Sequence, residues 1–207
     1  MKWKLGMSKM LGTYFISAFL ILAIAFIIFR VIVRRTYLKR GRLTFIATAL
    51  ESLIWGPFFC FPYIYNPPSW PAFWRRDQGQ NLWLAYAATV LIVLGLVLGL
   101  TSMAYLGFRR SCGQQVDKLR QTGIYGLSRN PQVVTFSLMI LGVVLRWPSW
   151  YALGWVMIFA AMIHMMVLTE EEHLRDVFGD EYARYCRRVP RYIRTPAYKR
   201  AASQNSR

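Results

Sequence analysis

Five apolar runs dominate this chain, at roughly 10–33, 43–64, 82–107, 131–146 and 149–170, and four of them reach the length that crosses a hydrocarbon layer. In lipid, backbone N–H and C=O groups must be satisfied within the segment or within a closed barrel, and runs of about 20 residues without alternation leave only the helix. A chain of 207 residues that is 56% hydrophobic and 16% aromatic is too apolar for a soluble domain of this size. The expected fold is therefore all-α, a polytopic membrane bundle of about five transmembrane helices ending in a C-terminal helical hairpin. The first arm of that hairpin is short, and Trp147-Pro148-Ser149-Trp150 supplies both a break at proline and aromatic anchors for the interface, so the hairpin is expected to dip only partly through the bilayer. The N-terminal run is longer than a signal-peptide core and lacks a small-residue cleavage site, so it reads as a retained anchor.

Charge orients the bundle. Segments 34–42, 108–130 and 169–207 carry five, five and nine Lys or Arg, against six on the other side, namely Lys2, Lys4, Lys9, Arg75, Arg76 and Arg146. Positive residues stay inside, so the N-terminus is expected outside and the C-terminus in the cytoplasm. A net charge of +17 could suit nucleic acid, but the basic residues flank apolar spans and no soluble basic domain is present, so anionic membrane lipids are the expected partners. Cys60, Cys112 and Cys186 have neither CxxC nor Cys/His spacing, which predicts free thiols and no metal site. The aromatic loop at 65–81 suits the headgroup layer, and the tail at 196–207 reads as disordered. This divides the chain into N-terminal spans at 1–107, a polar-signature region with the hairpin at 108–195, and that tail.

Three polar signatures gather on the predicted cytoplasmic face. In Ser128-Arg129-Asn130-Pro131 the asparagine is a favoured N-cap and the proline a favoured first helical residue, so the motif reads as a helix start whose free N–H groups, with Arg129 beside them, suit an anionic group. Glu170-Glu171-Glu172 is expected at a helix C-terminus, where three carboxylates are unfavourable unless cations or a positively charged ligand offset them. Phe178 to Pro190 alternates acids, tyrosines and arginines at four-residue spacing, which predicts an amphipathic helix along the membrane surface. Within the spans, Glu51 is costly if ionised and demands a partner or a proton, and His164 is expected to face the interior. Met157, Met162, Met165 and Met166 suit packing or a deformable wall for a lipid chain.

The ordered combination resembles the isoprenylcysteine carboxyl methyltransferase and phospholipid N-methyltransferase superfamily over about the last 90 residues. The residues that carry it are Gly123, Tyr125, Arg129, Pro131, Glu170, Glu171, Phe178, Gly179, Glu181, Tyr182, Tyr185, Val189 and Pro190. The resemblance implies a methyltransferase using S-adenosylmethionine, with its catalytic face in the cytoplasm. It assigns cofactor contacts to Asp117, Lys118, Leu119, Arg120, Tyr125, Asn130, Pro131, Gln132, Val133, Glu170 and Glu171. Arg129 and His164 are the candidate catalytic residues, Arg129 for the methionine carboxylate and His164 as a proton acceptor. Met166, Tyr182, Tyr185 and Arg188 are the candidate acceptor contacts.

Four positions depart from the family pattern: Asn130 stands for the usual histidine, Val133 for a tyrosine, Thr135 for a glycine, and Asp117 where a histidine often lies. Met166 replaces an arginine that belongs to the prenylcysteine site of the carboxyl methyltransferases. A guanidinium is the natural bidentate holder of a carboxylate, so its loss favours an amine lipid, a thiol lipid or a small thiol over a carboxylate acceptor. Two alternatives stay open on sequence: an NADPH-dependent membrane sterol or enone reductase, which shares a similar C-terminal half but generally lacks the glutamate pair, and a non-catalytic protein on the same scaffold.

Overall fold

The computed structural model describes residues 2–65, 81–107, 113–114 and 118–193; Asp117, Cys112, the body of the aromatic loop and the tail at 196–207 lie outside the described residues. All regular structure among the described residues is helical. The elements are α1 (Lys2–Phe26), a π-helix (Ile27–Val33), α2 (Arg34–Arg40), α3 (Phe45–Leu53), α4 (Trp55–Tyr65), α5 (Leu82–Leu106), a 3-10 turn (Gly123–Gly126), α6 (Pro131–Arg146) and α7 (Trp150–Arg188). Met10–Arg40, Phe45–Pro62, Leu82–Leu106 and Trp150–Arg188 are long and apolar enough to cross a membrane, and Pro131–Arg146 is a shorter apolar helix. At 16 residues, α6 is about 24 Å long, less than the roughly 30 Å of hydrocarbon it would have to cross.

Several element boundaries differ from expectation, each for a local reason. The first span does not stop at residue 33: the basic stretch that follows continues as helix to Arg40, where Gly41 takes a left-handed conformation at φ 63° and its N–H reaches the Tyr37 carbonyl at 2.8 Å. The second span is broken at Ile54 into α3 and α4. Within α4, Pro62 has no N–H to give to the carbonyl of Phe58, four residues earlier; the indole N–H of Trp155 donates to that carbonyl instead, at 3.0 Å, with the two rings stacked 4.9 Å apart. The proline thus creates the acceptor that pins α4 to α7.

The α5–α6 contact depends on small residues. A Cβ on Gly95 would lie 2.5 Å from the Met139 backbone nitrogen, and one on Gly142 would lie 2.7 Å from the Ala88 carbonyl oxygen. The helices approach backbone to backbone, the membrane solution where no hydrophobic effect drives association. The other face of α5 turns Trp83, Val90 and Leu100 outward.

The largest difference concerns α7. It runs unbroken through Glu170–Glu172 for 39 residues, interrupted only where Gly179 adopts φ 47°, ψ −121°. The acidic run therefore sits inside a helix rather than at its C-terminus, and the dipole penalty expected there does not apply. Beyond Gly179 the segment does not lie free along a membrane surface. Tyr182, Tyr185 and Val189 are buried in a small cluster with Leu119, Leu174, Phe178 and Cys186. The apolar face that sequence assigns to lipid is covered by the chain's own loop.

Candidate functional site

The three glutamates of α7 have three different surroundings. Glu171 is buried; Arg191 donates to both its oxygens, at 3.1 Å from Nε and 2.6 Å from the other guanidinium nitrogen, and Arg129 approaches at 3.2 Å. This pairing raises the Arg191 guanidinium above its ordinary pKa, chiefly through the hydrogen bond to Glu171. Glu172 points to the first helix, where Arg30 and Arg34 bind it at 2.9 and 2.7 Å. Arg30 lies in the π-helix and also donates to the Thr169 hydroxyl at 3.0 Å. The extra residue per turn of a π-helix changes which side chains face a partner, and here it accompanies the pairing with α7.

Glu170 has no hydrogen bond or ion pair among the described residues. Its carboxylate acts electrostatically on the Tyr125 phenol, on neighbouring Glu171 and on Glu51 of α3. Tyr125 is itself buried, and burial first, then the Glu170 carboxylate, push its phenol above the ordinary tyrosine range. Gln132 on the first turn of α6 lies 3.5 Å from the Tyr125 hydroxyl.

The loop that carries Tyr125 is held by the end of α7. Tyr185 donates from its hydroxyl to the Tyr125 carbonyl at 2.7 Å, while Gln121 bridges Glu181 and Arg188 at 2.7 Å each. The Arg129 N–H donates to the Pro190 carbonyl at 2.9 Å, and its guanidinium also contacts the Cys186 sulfur. Asn130 does not cap α6. Its side-chain amide donates to the Arg191 carbonyl at 3.2 Å, so the first turn of α6 begins with no side-chain cap. Pro131 and Val133 are buried at that start, and Val133 belongs to the main core.

The geometry thus brings Tyr125, Gln132, the α6 start and Glu170 together. It sets Arg129 and Glu171 against each other in an internal ion pair instead of leaving both open to a ligand. Lys118 and Arg120 are exposed, with Arg120 over the Tyr105 ring at 5.8 Å, and Leu119 packs against the tyrosine cluster. Tyr182 and Tyr185 are buried in that cluster, Arg188 is exposed beside Gln121, and Met166 packs against the main core. His164 is exposed, and its six-residue offset from Glu170 sets it on a different helix face. Sequence reasoning missed Arg30, Arg34, Arg191 and Gln121. Arg191 had a visible signal, since it directly follows the Val189-Pro190 motif; Arg30 and Arg34 had none beyond lying at a span end.

With the site in place, comparison with known proteins bears on what it does. Residues 83–181, from the start of α5 to just past the Gly179 kink, match the family model of phospholipid methyltransferase. This segment belongs to the phospholipid methyltransferase family. Members of that family are S-adenosylmethionine-dependent membrane methyltransferases. No curated protein matches the chain, and no solved structure does.

The described residues fit that cofactor. An uncommitted carboxylate at Glu170 suits an ammonium or sulfonium, the uncapped first turn of α6 suits a carboxylate, and the Tyr125 hydroxyl is a further polar contact.

Proposed function

We propose that this protein transfers a methyl group from S-adenosylmethionine to a lipophilic amine or thiol acceptor that enters from the bilayer, at a site on the cytoplasmic face. The observation that carries the reading is the uncommitted Glu170 carboxylate inside the matched family segment, next to two glutamates that are fully paired with arginines. When bound, S-adenosylmethionine supplies an electrophilic methyl group on a positively charged sulfur. Glu170 holds positive charge in the site, the start of α6 with Gln132 and Tyr125 orients the polar end, and the buried tyrosine cluster keeps the loop closed against water. Catalysis of this kind is mainly positioning at near-attack distance in a dry site. A carboxylate acceptor is disfavoured twice: Met166 offers no guanidinium, and Arg30, Arg34, Arg129 and Arg191 are committed to Glu171 and Glu172. Arg129 acts here by neutralising Glu171, and exposed His164 has no part in the chemistry. The excess of Lys and Arg on segments 34–42, 108–130 and 169–207 supports the cytoplasmic orientation.

The test is direct binding of S-adenosylmethionine and its demethylated product to detergent-purified protein, with NADPH as a parallel ligand. Saturable binding of the methyl-donor pair, lost in Glu170→Gln and kept in His164→Ala, is expected. Binding of NADPH alone, or equal cofactor affinity in both variants and wild type, overturns the reading.

A further inference from the structure

We infer that the open cleft between the end of α2, the start of α3 and the loop at 113–114 binds the headgroup of an anionic phospholipid, a bound lipid distinct from any methyl acceptor. The cleft has a volume of about 660 Å³ and is lined by Arg40, Arg42, Leu43, Thr44, Phe45 and Gln114, none of them among the residues gathered around Glu170. That is room for a headgroup, within the range of ordinary ligand pockets. Two guanidiniums line the cleft and no carboxylate does. Both arginines are exposed, and neither has an acidic partner among the described residues. Arg30, Arg34, Arg129 and Arg191, by contrast, are each held by a glutamate.

The walls are set before anything binds. The Leu43 N–H donates to the Gly113 carbonyl at 2.9 Å, and Gln114 donates to the Thr48 hydroxyl at 3.3 Å, so the loop is fastened to the second span. Gly113 sits at φ 65°, and a Cβ there would collide with the Tyr37 hydroxyl, which fixes how closely the loop approaches α2. A preformed cleft spends little of its binding energy on ordering. Its chemistry has two parts. Guanidiniums match phosphate oxygens in bidentate geometry. Phe45, in the lining, is 82% exposed and Ile46 beside it 71%, and both lie in the first turn of the apolar span Phe45–Pro62, so they face hydrocarbon. A phosphate between Arg40 and Arg42 leaves its acyl chains to run along Phe45 and Ile46. A soluble phosphate gains nothing from those two side chains. A zwitterionic headgroup brings an ammonium for which the lining has no acid, so the cleft selects net negative charge. The excess of Lys and Arg at this end of the spans sets it at the level of the anionic cytoplasmic leaflet.

The experiment uses the full chain in detergent micelles and counts lipid retained per protein by native mass spectrometry, with phosphatidylglycerol and phosphatidylcholine as the two probes. Wild type should hold phosphatidylglycerol at least tenfold more tightly. The double variant Arg40→Gln/Arg42→Gln should lose that preference, a fall of tenfold or more for the removal of charge-assisted contacts. Arg35→Gln/Lys39→Gln removes the same two charges from exposed positions outside the lining and should change affinity by about twofold at most. Arg40→Lys/Arg42→Lys keeps the charge but not the fork, and should fall between wild type and the glutamine pair. Phe45→Ser should weaken phosphatidylglycerol severalfold and leave competition by soluble glycerol phosphate unchanged. Equal losses in the two glutamine pairs overturn the inference, because surface potential alone then accounts for binding. Equal affinity for the two lipids overturns it as well, as does glycerol phosphate competing as strongly as the lipid, which would make the cleft a site for a soluble anion. Thermal scans should show all variants folded, since neither arginine has a partner to lose; if the glutamine pair does not fold, the lysine pair decides, and wild-type affinity there overturns the inference.

Discussion

On one side of the α7 turn at residues 170–172, Glu171 is clamped by Arg129 and Arg191, and Glu172 by Arg30 and Arg34. On the other side, Glu170 acts on Glu51 and Tyr125 with no cation among the described residues to answer it. Adjacent residues of one type on one helix thus do opposite work. The paired acids join α7 to the first helix and to the loop before α6, and they hold the bundle together before anything binds. Glu170, with no cation among the described residues, is the acid left for a ligand. Substitutions should therefore separate into those that cost stability and those that cost binding.

The largest effect should come from Glu171→Gln. Removing one partner of a buried ion pair typically costs about 3–5 kcal/mol because the other charge is left uncompensated. Glu171 is only 5% exposed and Arg129 12%, but Arg191 is 34% exposed and can recover some hydration, so the loss should fall near the lower end, about 3 kcal/mol. Thermal unfolding in detergent checks it. A variant as stable as wild type would mean that the clamp is not a stabilising element, and the division between the two sides would fail.

That division was only half legible in the sequence. The spans could be read because length and apolarity dictate helix in lipid, and α5 and α6 lie where those two properties put them. The family signature could be read because its residues occur in order. What could not be read was where α7 stops: Glu170-Glu171-Glu172 looks like a helix end, yet neither glycine nor proline intervenes until Gly179, and cations from three other segments pair Glu171 and Glu172 in place. Asn130 misled for a related reason, since a good N-cap residue was drawn to the Arg191 carbonyl by tertiary contact. Local preference loses wherever a distant segment offers a better partner. Glu51 lay on the opposite side of that line, visible as an anomaly in a span but without a neighbour until α7 was in place.

Next in size is Glu170→Gln, which sharpens the comparison because its two readouts move apart. Losing a charge-assisted contact should weaken S-adenosylmethionine binding by about 1.5–3 kcal/mol, tenfold to a hundredfold or more. The ligand-free melting temperature should stay level or rise, since repulsion with Glu171 and Glu51 is relieved. Calorimetric titration and a thermal scan on the same preparation give both values. A fall in ligand-free stability comparable to that of Glu171→Gln would place Glu170 with the structural acids.

Tyr185→Phe should have a smaller effect of a different kind. It removes the 2.7 Å bond to the Tyr125 carbonyl while keeping the ring in its cluster, for a loss of about 1 kcal/mol. Because that bond fixes the loop bearing Tyr125, cofactor affinity should fall slightly in parallel, by severalfold at most. Hydrogen exchange across 119–129 should rise. Unchanged exchange there would mean that the loop is held by Gln121 and Arg129 alone.

The smallest effect should be that of Glu172→Gln, and its salt dependence is the informative part. Glu172 bonds two arginines, as Glu171 does, but it is 38% exposed and its partners Arg30 and Arg34 are 22% and 46% exposed. Water and ions reach all three groups, so the pair is worth about 1 kcal/mol or less, against about 3 for Glu171. Raising the salt concentration to about 1 M shortens the screening length to roughly 3 Å and should erase most of the difference between Glu172→Gln and wild type. The deficit of Glu171→Gln should persist under the same conditions, because ions do not enter its surroundings. If both deficits fade together, the two acids are screened alike, and burial is not what distinguishes the clamp on Glu171 from the one on Glu172.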